Sequence, residues 1–453
     1  MTDEAGQKLE KTSEAHAAAK SAQRKAAWRL LPIIAVGYGL ACMDRVNVSF
    51  AALQMNHDLH FSATIYGFGA GLFFIGYALC EVPSNLLLLR FGPKRWLSRI
   101  LFTWGILSAA MMLVRTPVQF YTLRFLLGMA EAGFFPGVVY YLTLWFPSRM
   151  RARAISRFYI ALPLSSTVMG SLAGWLLGLN GTLGLAGWQW LFLVEGLPST
   201  LFGLVILWGL PDGPAQATWL TDEERTCLQK QLAAEAEHAH LGRGAGVLTA
   251  LLSPKVWMIG LYFFCALTCN YAFQFSAPAI LQEATGWAVS RVGTCIAMFG
   301  LAGAAGMMLN SIHSDRRGER LLHSIVPCLV MGLSLFAAGV GRPEWLVVGA
   351  LGASFVAYSA ILGPSVAVPT QFMAGRAAAA GIAAMNTITM FSGFVGPYWM
   401  GLMKDASGSY WLGLRGLLIP SLGAVIAMLM LTRSLARSRP VAGGGVQLAN
   451  ETA

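Results

Sequence analysis

The sequence predicts an all-α membrane protein with twelve transmembrane helices in two six-helix bundles. Three observations carry that prediction. The chain of 453 residues is 56% hydrophobic and only 12% charged, whereas a soluble domain carries about 25% charged residues. Runs of roughly 20 apolar residues, each sufficient for one crossing, recur along the whole chain. One long polar interruption, at 211–255, divides those runs six and six.

The apolar runs lie at 30–52, 65–88, 97–114, 119–143, 155–178, 188–210, 256–281, 292–312, 321–340, 344–369, 377–402 and 411–433. The predicted organisation is therefore a cytoplasmic N-terminal tail at 1–28, a first bundle at 29–210, a cytoplasmic linker at 211–255, a second bundle at 256–435 and a cytoplasmic tail at 436–453. The stretch 1–28 is polar and rich in Ala, Lys, Glu and Gln, which suits either a surface helix or a disordered tail. It mixes acids with bases, and no small-residue cleavage site follows the first apolar run, so that run is expected to stay as an anchor.

An even number of crossings brings both termini to one side. Apart from Arg115, Arg291, Arg342, Lys404, Arg415 and the intramembrane Arg45 and Arg124, the Lys and Arg residues gather on that side. The positive-inside rule makes it cytoplasmic, in the inner membrane. The halves also echo each other. "LLLLRFGPKR" (86–95) follows the second apolar run, and "HSDRRGER" (313–320) follows the second run of the other half. Repeats of this kind are typical of secondary transporters, whose substrate site lies near the midplane between them.

The composition excludes several classes. The net charge of +11 sits in short loops between apolar runs, which orients a membrane protein and leaves no nucleic-acid footprint. The seven cysteines show no CxxC spacing and suit small packing residues. No HExxH, GxSxG or Walker sequence is present, so no enzyme is expected. No metal site and no cofactor are expected.

The informative residues are charges where lipid should be. "YGLACMDRVNVSFA" (38–51) puts Asp44 and Arg45 side by side in the middle of the first run, and "YTLRFLLGMAEAGFFPG" (121–137) puts Arg124 and Glu131 in the fourth. On insertion scales each charge at the bilayer centre costs roughly 2.5–3.5 kcal/mol. Adjacent helical residues point about 100° apart, so Asp44 and Arg45 face different neighbours. Arg124 and Glu131, seven apart, share a face but stand about 10.5 Å apart along the axis. Cross-pairing follows as the expectation: Asp44 with Arg124, and Arg45 with Glu131. Arginine keeps its charge and matches a carboxylate, while Asp or Glu in a dry site can carry a proton. Protonating Asp44 or Glu131 would then free an arginine to hold an anion. Glu81 is poised between a functional role and a helix cap near Pro83, and Glu195 reads as structural.

At this point the motifs resemble a family. "DRVNVSFAA", "YALCEVPSNLLLLRFGPKRW", "RFLLGMAEAGFFPGVVYYLTLWFP" and "PTQFMAGRAAAAGIAAMNTITMFSGFVGPYWMG" are similar to the anion:cation symporters of the major facilitator superfamily, over about 28–435. In bacterial members that resemble this chain, substrates include tartrate, phthalate and sugar acids. The resemblance implies the major facilitator fold, alternating access and uptake of organic anions with protons. It implies Asp44 and Glu131 as protonation sites, Arg45 and Arg124 in anion binding and coupling, and Tyr77 and Asn386 as matching site positions. The chain departs from the pattern at Gln189, Val366, Thr389, Met390 and "FQFSAP" (273–278). Asn270 and Gln274, one turn apart, can supply hydrogen bonds either to substrate or between helices.

The expected function is import of a small organic anion, an aromatic or short-chain carboxylate, with protons, by a monomer in the bilayer. The alternatives are an organic-anion exchanger and a transporter-like ligand sensor docking through 211–255. A seventh run without Lys or Arg argues against a phosphate antiporter. A buried arginine pair argues against export of lipophilic cations.

Overall fold

A computed structural model describes residues 2–147, 150–151, 154–155, 158, 161–241, 253–366, 368–369 and 375–437. Residues 438–453 of the C-terminal tail, 242–252 of the linker, and 370–374 of the motif beginning at Pro369 lie outside the described residues. Among those described, nine helices are long and apolar enough to cross a membrane, and Thr167–Leu177 and Leu322–Ala338 are shorter apolar helices.

The first bundle consists of α1 (Thr2–Asp58), α2 (Ala63–Phe91), α3 (Pro93–Ala110), α4 (Pro117–Glu131), α5 (Phe134–Thr143), α6 (Ala161–Leu177) and α7 (Gly187–Gly209). After the linker helix α8 (Asp222–Leu241) comes the second: α9 (Pro254–Thr285), α10 (Val289–Arg317), α11 (Leu322–Ala338), α12 (Glu344–Val366), α13 (Gly375–Ser407), α14 (Trp411–Gly416) and α15 (Leu418–Arg437). α4 with α5 forms the fourth crossing, and α14 with α15 the twelfth, so the predicted six-plus-six order is present. Each bundle has its own apolar core.

Local chemistry sets the boundaries. Ser62 caps α2 by accepting from the Ile65 amide at 3.2 Å, and Pro at the first helical position starts α3, α4 and α9. The stretch read as a tail is helical. α1 runs unbroken from Thr2 to Asp58, and its beginning packs on the linker rather than standing apart. Lys25 Nζ pairs with Glu224 at 2.8 Å, Ser21 donates to Glu224 at 2.7 Å, and Gln23 donates to Gln231 at 3.0 Å. Burial pushes the Glu224 carboxyl up, but the bonds from Lys25, Ser21 and the Thr221 amide outweigh it and hold the group at about 2. The linker's first residues are fixed too, because Asp212 accepts from the Lys94 amide at 2.9 Å at the α2–α3 turn.

The two bundles seal against each other on the face away from the termini. There α2 packs on α13 and α6 on α10, and both seams depend on glycine. A Cβ on Gly67 would collide with the Pro397 carbonyl, and one on Gly401 with the Ala63 carbonyl. Gly170 and Gly293 block each other in the same way across α6 and α10. Tyr66 Oη donates to the Phe275 carbonyl at 2.7 Å. Asp405, beyond the apolar run of α13, accepts from the Ala63 and Thr64 amides at 3.1 and 2.8 Å, capping α2 from the other bundle. On the face that carries the termini, α5 packs chiefly on α2 and α3 of its own bundle. Among the described residues, these seams and bonds join the two bundles on the face away from the termini.

Burial raises the Asp405 carboxyl, yet bonds from Thr64, Ser62 and Ala63 outweigh it and keep the group below its ordinary 3.8. A carboxyl held low contributes its bonds above the ordinary value and loses them as pH falls through the depressed one. Asp405→Asn should therefore loosen the seal at every pH. Labelling, by a reagent added on that face, of a cysteine placed at Gln274, which lines a deeper cavity with Val46 of α1, should rise about tenfold, the equivalent of losing one net bond to a charge. In the otherwise unchanged chain the same labelling should rise only under acid.

Candidate functional site

The site forms where α1 passes between the rest of its bundle and α9. Asp44 and Arg45 point apart, as adjacent helical residues must. Asp44 is 1% exposed and turns toward α3. Its Oδ2 accepts from Trp104 Nε1 at 2.8 Å, and its Oδ1 accepts from Asn47 Nδ2 at 3.0 Å and from the Ser108 hydroxyl. Trp104 and Ser108, four apart on α3, present both donors from one face. Three donors give a buried carboxylate the partners that its charge requires.

Arg45 turns toward α2, α4 and α9. Its Nη2 pairs with Glu131 Oε1, while its guanidinium lies 5.8 Å from the Phe73 and Tyr77 ring centroids. Tyr271 of α9 acts on it electrostatically from the other bundle. The Arg45 side chain keeps 27% of its surface, whereas Glu131 keeps 1%, so the pair has one dry end and one open end.

The position of Glu131 follows from a break in the fourth crossing. α4 ends at Glu131, and Gly133 adopts a left-handed conformation (φ 86°, ψ −2°) before α5 starts. That conformation disfavours side chains bearing a Cβ, and a Cβ there would also strike Ser84. Discontinuous helices at binding sites are a recurring device of membrane transporters.

Arg124 is fully buried. Its guanidinium lies 4.9 Å from the Phe73 ring centroid, and Nη2 donates to the Ala70 carbonyl at 3.3 Å. Nε and Nη1 have no hydrogen-bond partner among the described residues. The expected Asp44–Arg124 contact is therefore corrected. Arg124 reaches Asp44 only through space, because the α3 donors Trp104 and Ser108 occupy the carboxylate. The expected Arg45–Glu131 contact is present.

The structure thus brings Asp44, Arg45, Tyr77, Arg124 and Glu131 together. It does not bring in the other three predicted residues. Asn270 is buried in α9. Gln274 lines a separate cavity of about 30 Å³ with Val46, Ser49 and Phe50 of α1. Asn386 is exposed on α13, one turn from Met390, which packs on the first bundle's core. Sequence reasoning missed Asn47, Trp104, Ser108 and Tyr271, which read as ordinary helix-packing residues. It also set aside Glu195, which the fold places beside Asn47 and Asp44.

The Major Facilitator Superfamily model matches residues 34–397. The chain belongs to the major facilitator superfamily. It is a multi-pass membrane transporter and not an enzyme. It is 42% identical over 422 residues to an Agrobacterium vitis protein provisionally named a tartrate transporter, covering 92% of each chain. It is 36% identical to an Acinetobacter baumannii protein named a quinolone resistance transporter, over 93% of this chain and 97% of that one. The crystal structure of a bacterial homologue of the human lysosomal transporter Spinster superposes with a TM-score of 0.76 at 18% identity, over 93% of this chain and 99% of that one. That likeness concerns the fold.

Removing one member of a buried ion pair strands the other, which costs more than removing both. Glu131→Gln and Arg45→Ala should each lower thermal stability, and the double variant should recover part of the loss. A coupling energy of about 1–3 kcal/mol is expected from the cycle. Additive losses would mean that the contact has no energetic weight.

Proposed function

We propose that the chain imports a small organic anion together with protons by alternating access, in an inner membrane with both termini cytoplasmic. One observation carries this reading: the ion pair of Arg45 with Glu131 has a partly exposed cationic end and a dry carboxylate end. An incoming carboxylate and a proton can break that pair jointly. The anion takes the Arg45 fork and the proton neutralises Glu131, so no unpaired charge is left behind. Neither load can do so alone without stranding a charge. Arg124, buried nearby with open donors, adds positive potential that favours an anion over a cation.

Asp44 is the second protonation site in this reading. It lies away from Arg45 and shares its helix turn, so its state can bias how α1 sits between the bundles. Tyr77 flanks the Arg45 guanidinium, while Asn270, Gln274 and Asn386 are assigned to the second half of the substrate's path. The name of the Agrobacterium vitis relative supports a small carboxylic acid as substrate. The name of the Acinetobacter baumannii relative favours a second reading, drug export. Two buried arginines suit that reading less well than a carboxylate does.

The test is to reconstitute the protein, add aromatic monocarboxylates, dicarboxylates and sugar acids outside the vesicles, and record internal pH. Acidification by one class, lost in Arg45→Ala, is the expected result. Asp44→Asn and Glu131→Gln should abolish proton-driven accumulation. Undiminished accumulation in both variants would remove those roles. Acidification by no acid, with binding retained, would favour exchange or sensing.

A further inference from the structure

Glu195 lies on α7 where that helix packs most tightly against α3: a Cβ on Gly105 or on Gly196 would overlap the opposing backbone. It is 4% exposed. Neither carboxyl oxygen has a hydrogen-bond partner among the described residues. The groups that act on it are Asp44, through space, and the Asn47 amide, whose Nδ2 also donates to Asp44 at 3.0 Å. Asn47 thus stands between two carboxyls, on α1 and on α7.

Asp44, Glu131 and Glu195 are three buried carboxyls, and Arg45 and Arg124 are the two cations among them. With all five ionised, the interior of the first bundle would hold a surplus negative charge that burial disfavours. One proton removes it. The three carboxyls differ sharply in their support. Asp44 accepts three hydrogen bonds, and Glu131 has Arg45. Glu195 has no bond of ordinary geometry, and the one charge acting on it is of its own sign. A carboxyl whose nearest donor is already bonded to its neighbour, with a like charge beside it, is the one that keeps the proton.

We propose that Glu195 is a third proton-binding carboxyl of this bundle. It holds a proton while Asp44 is ionised, and the two act as a pair bridged by Asn47 rather than Asp44 acting alone. Such a pair titrates as a unit, so a proton arriving at Asp44 is felt at Glu195. The inference extends the symport reading, because it puts a partner behind one of its two proton sites. It does not need transport in order to be tested.

The experiment is infrared spectroscopy of the purified full-length chain at neutral pH without substrate, in the region where protonated carboxylic acids absorb. The unmodified protein should show a carboxylic acid band. Glu195→Gln should lose it, Asp44→Asn, which removes the like charge, should let it disappear at a lower pH than in the unmodified protein, and Asn47→Leu should shift its frequency. Absence of the band in the unmodified protein would overturn the proposal without recourse to any variant. So would its survival in Glu195→Gln, or a band in Asp44→Asn that persists to as high a pH as in the unmodified protein. Anion-driven proton flux with no such band would leave symport standing and remove Glu195 from it. A band lost in Glu195→Gln with no flux would do the reverse.

Discussion

The structure depends on one constraint: two opposite charges on consecutive residues of a membrane helix cannot neutralise each other. Asp44 and Arg45 must each find compensation on a different side of α1, and the first bundle is organised around those two demands. On one side α3 supplies Trp104 and Ser108, close-packed against α7 through Gly105 and Gly196. On the other side α4 supplies Glu131 from its last turn, held there by the left-handed Gly133. The helix break, the small residues of α3 and α7 and the aromatic wall of Phe73 and Tyr77 all follow from keeping these groups in reach and dry.

The two sides differ in what they allow. The Asp44 side is saturated with hydrogen bonds and closed to solvent, so a change there alters charge without exchanging partners. The Arg45 side has a partly exposed cation and a buried anion, so a change there can exchange partners. In the proposed symport, that asymmetry is what lets a single helix turn serve as both a proton site and an anion site. The second bundle meets this turn through Tyr271 of α9, and its far-face contacts (Asp405 on the α2 amides, Tyr66 on Phe275) tie it to the first bundle away from the termini.

Much of this was legible in the residues alone. The apolar runs, the polar division at 211–255 and the placing of Arg45 against Glu131 needed only helix periodicity and the cost of burying charge. The partner of Asp44 was not legible, because spacing reports which residues share a face but not how α3 is rotated toward α1. Trp104 and Ser108 look like any interface aromatic and small packing residue until α3 is placed. Glu195 was set aside for the same reason, since its significance lies in what α7 brings it against. The segment 1–28 was ambiguous because nothing in its composition discloses that Glu224 lies opposite Lys25. Asn270 and Gln274 were chosen for polarity and Asn386 for its motif, and the structure spreads them over α9 and α13 rather than at the charged turn.

The central claim is that anion binding and proton binding at the Arg45–Glu131 pair are linked. The most direct measurement is the proton balance of binding itself, read with a pH indicator as a recognised carboxylate is added to the purified protein in weakly buffered solution near neutral pH. The account predicts that a proton is taken up with each anion bound and that Glu131→Gln binds without uptake. Saturable binding with no proton taken up by the unmodified protein would contradict it.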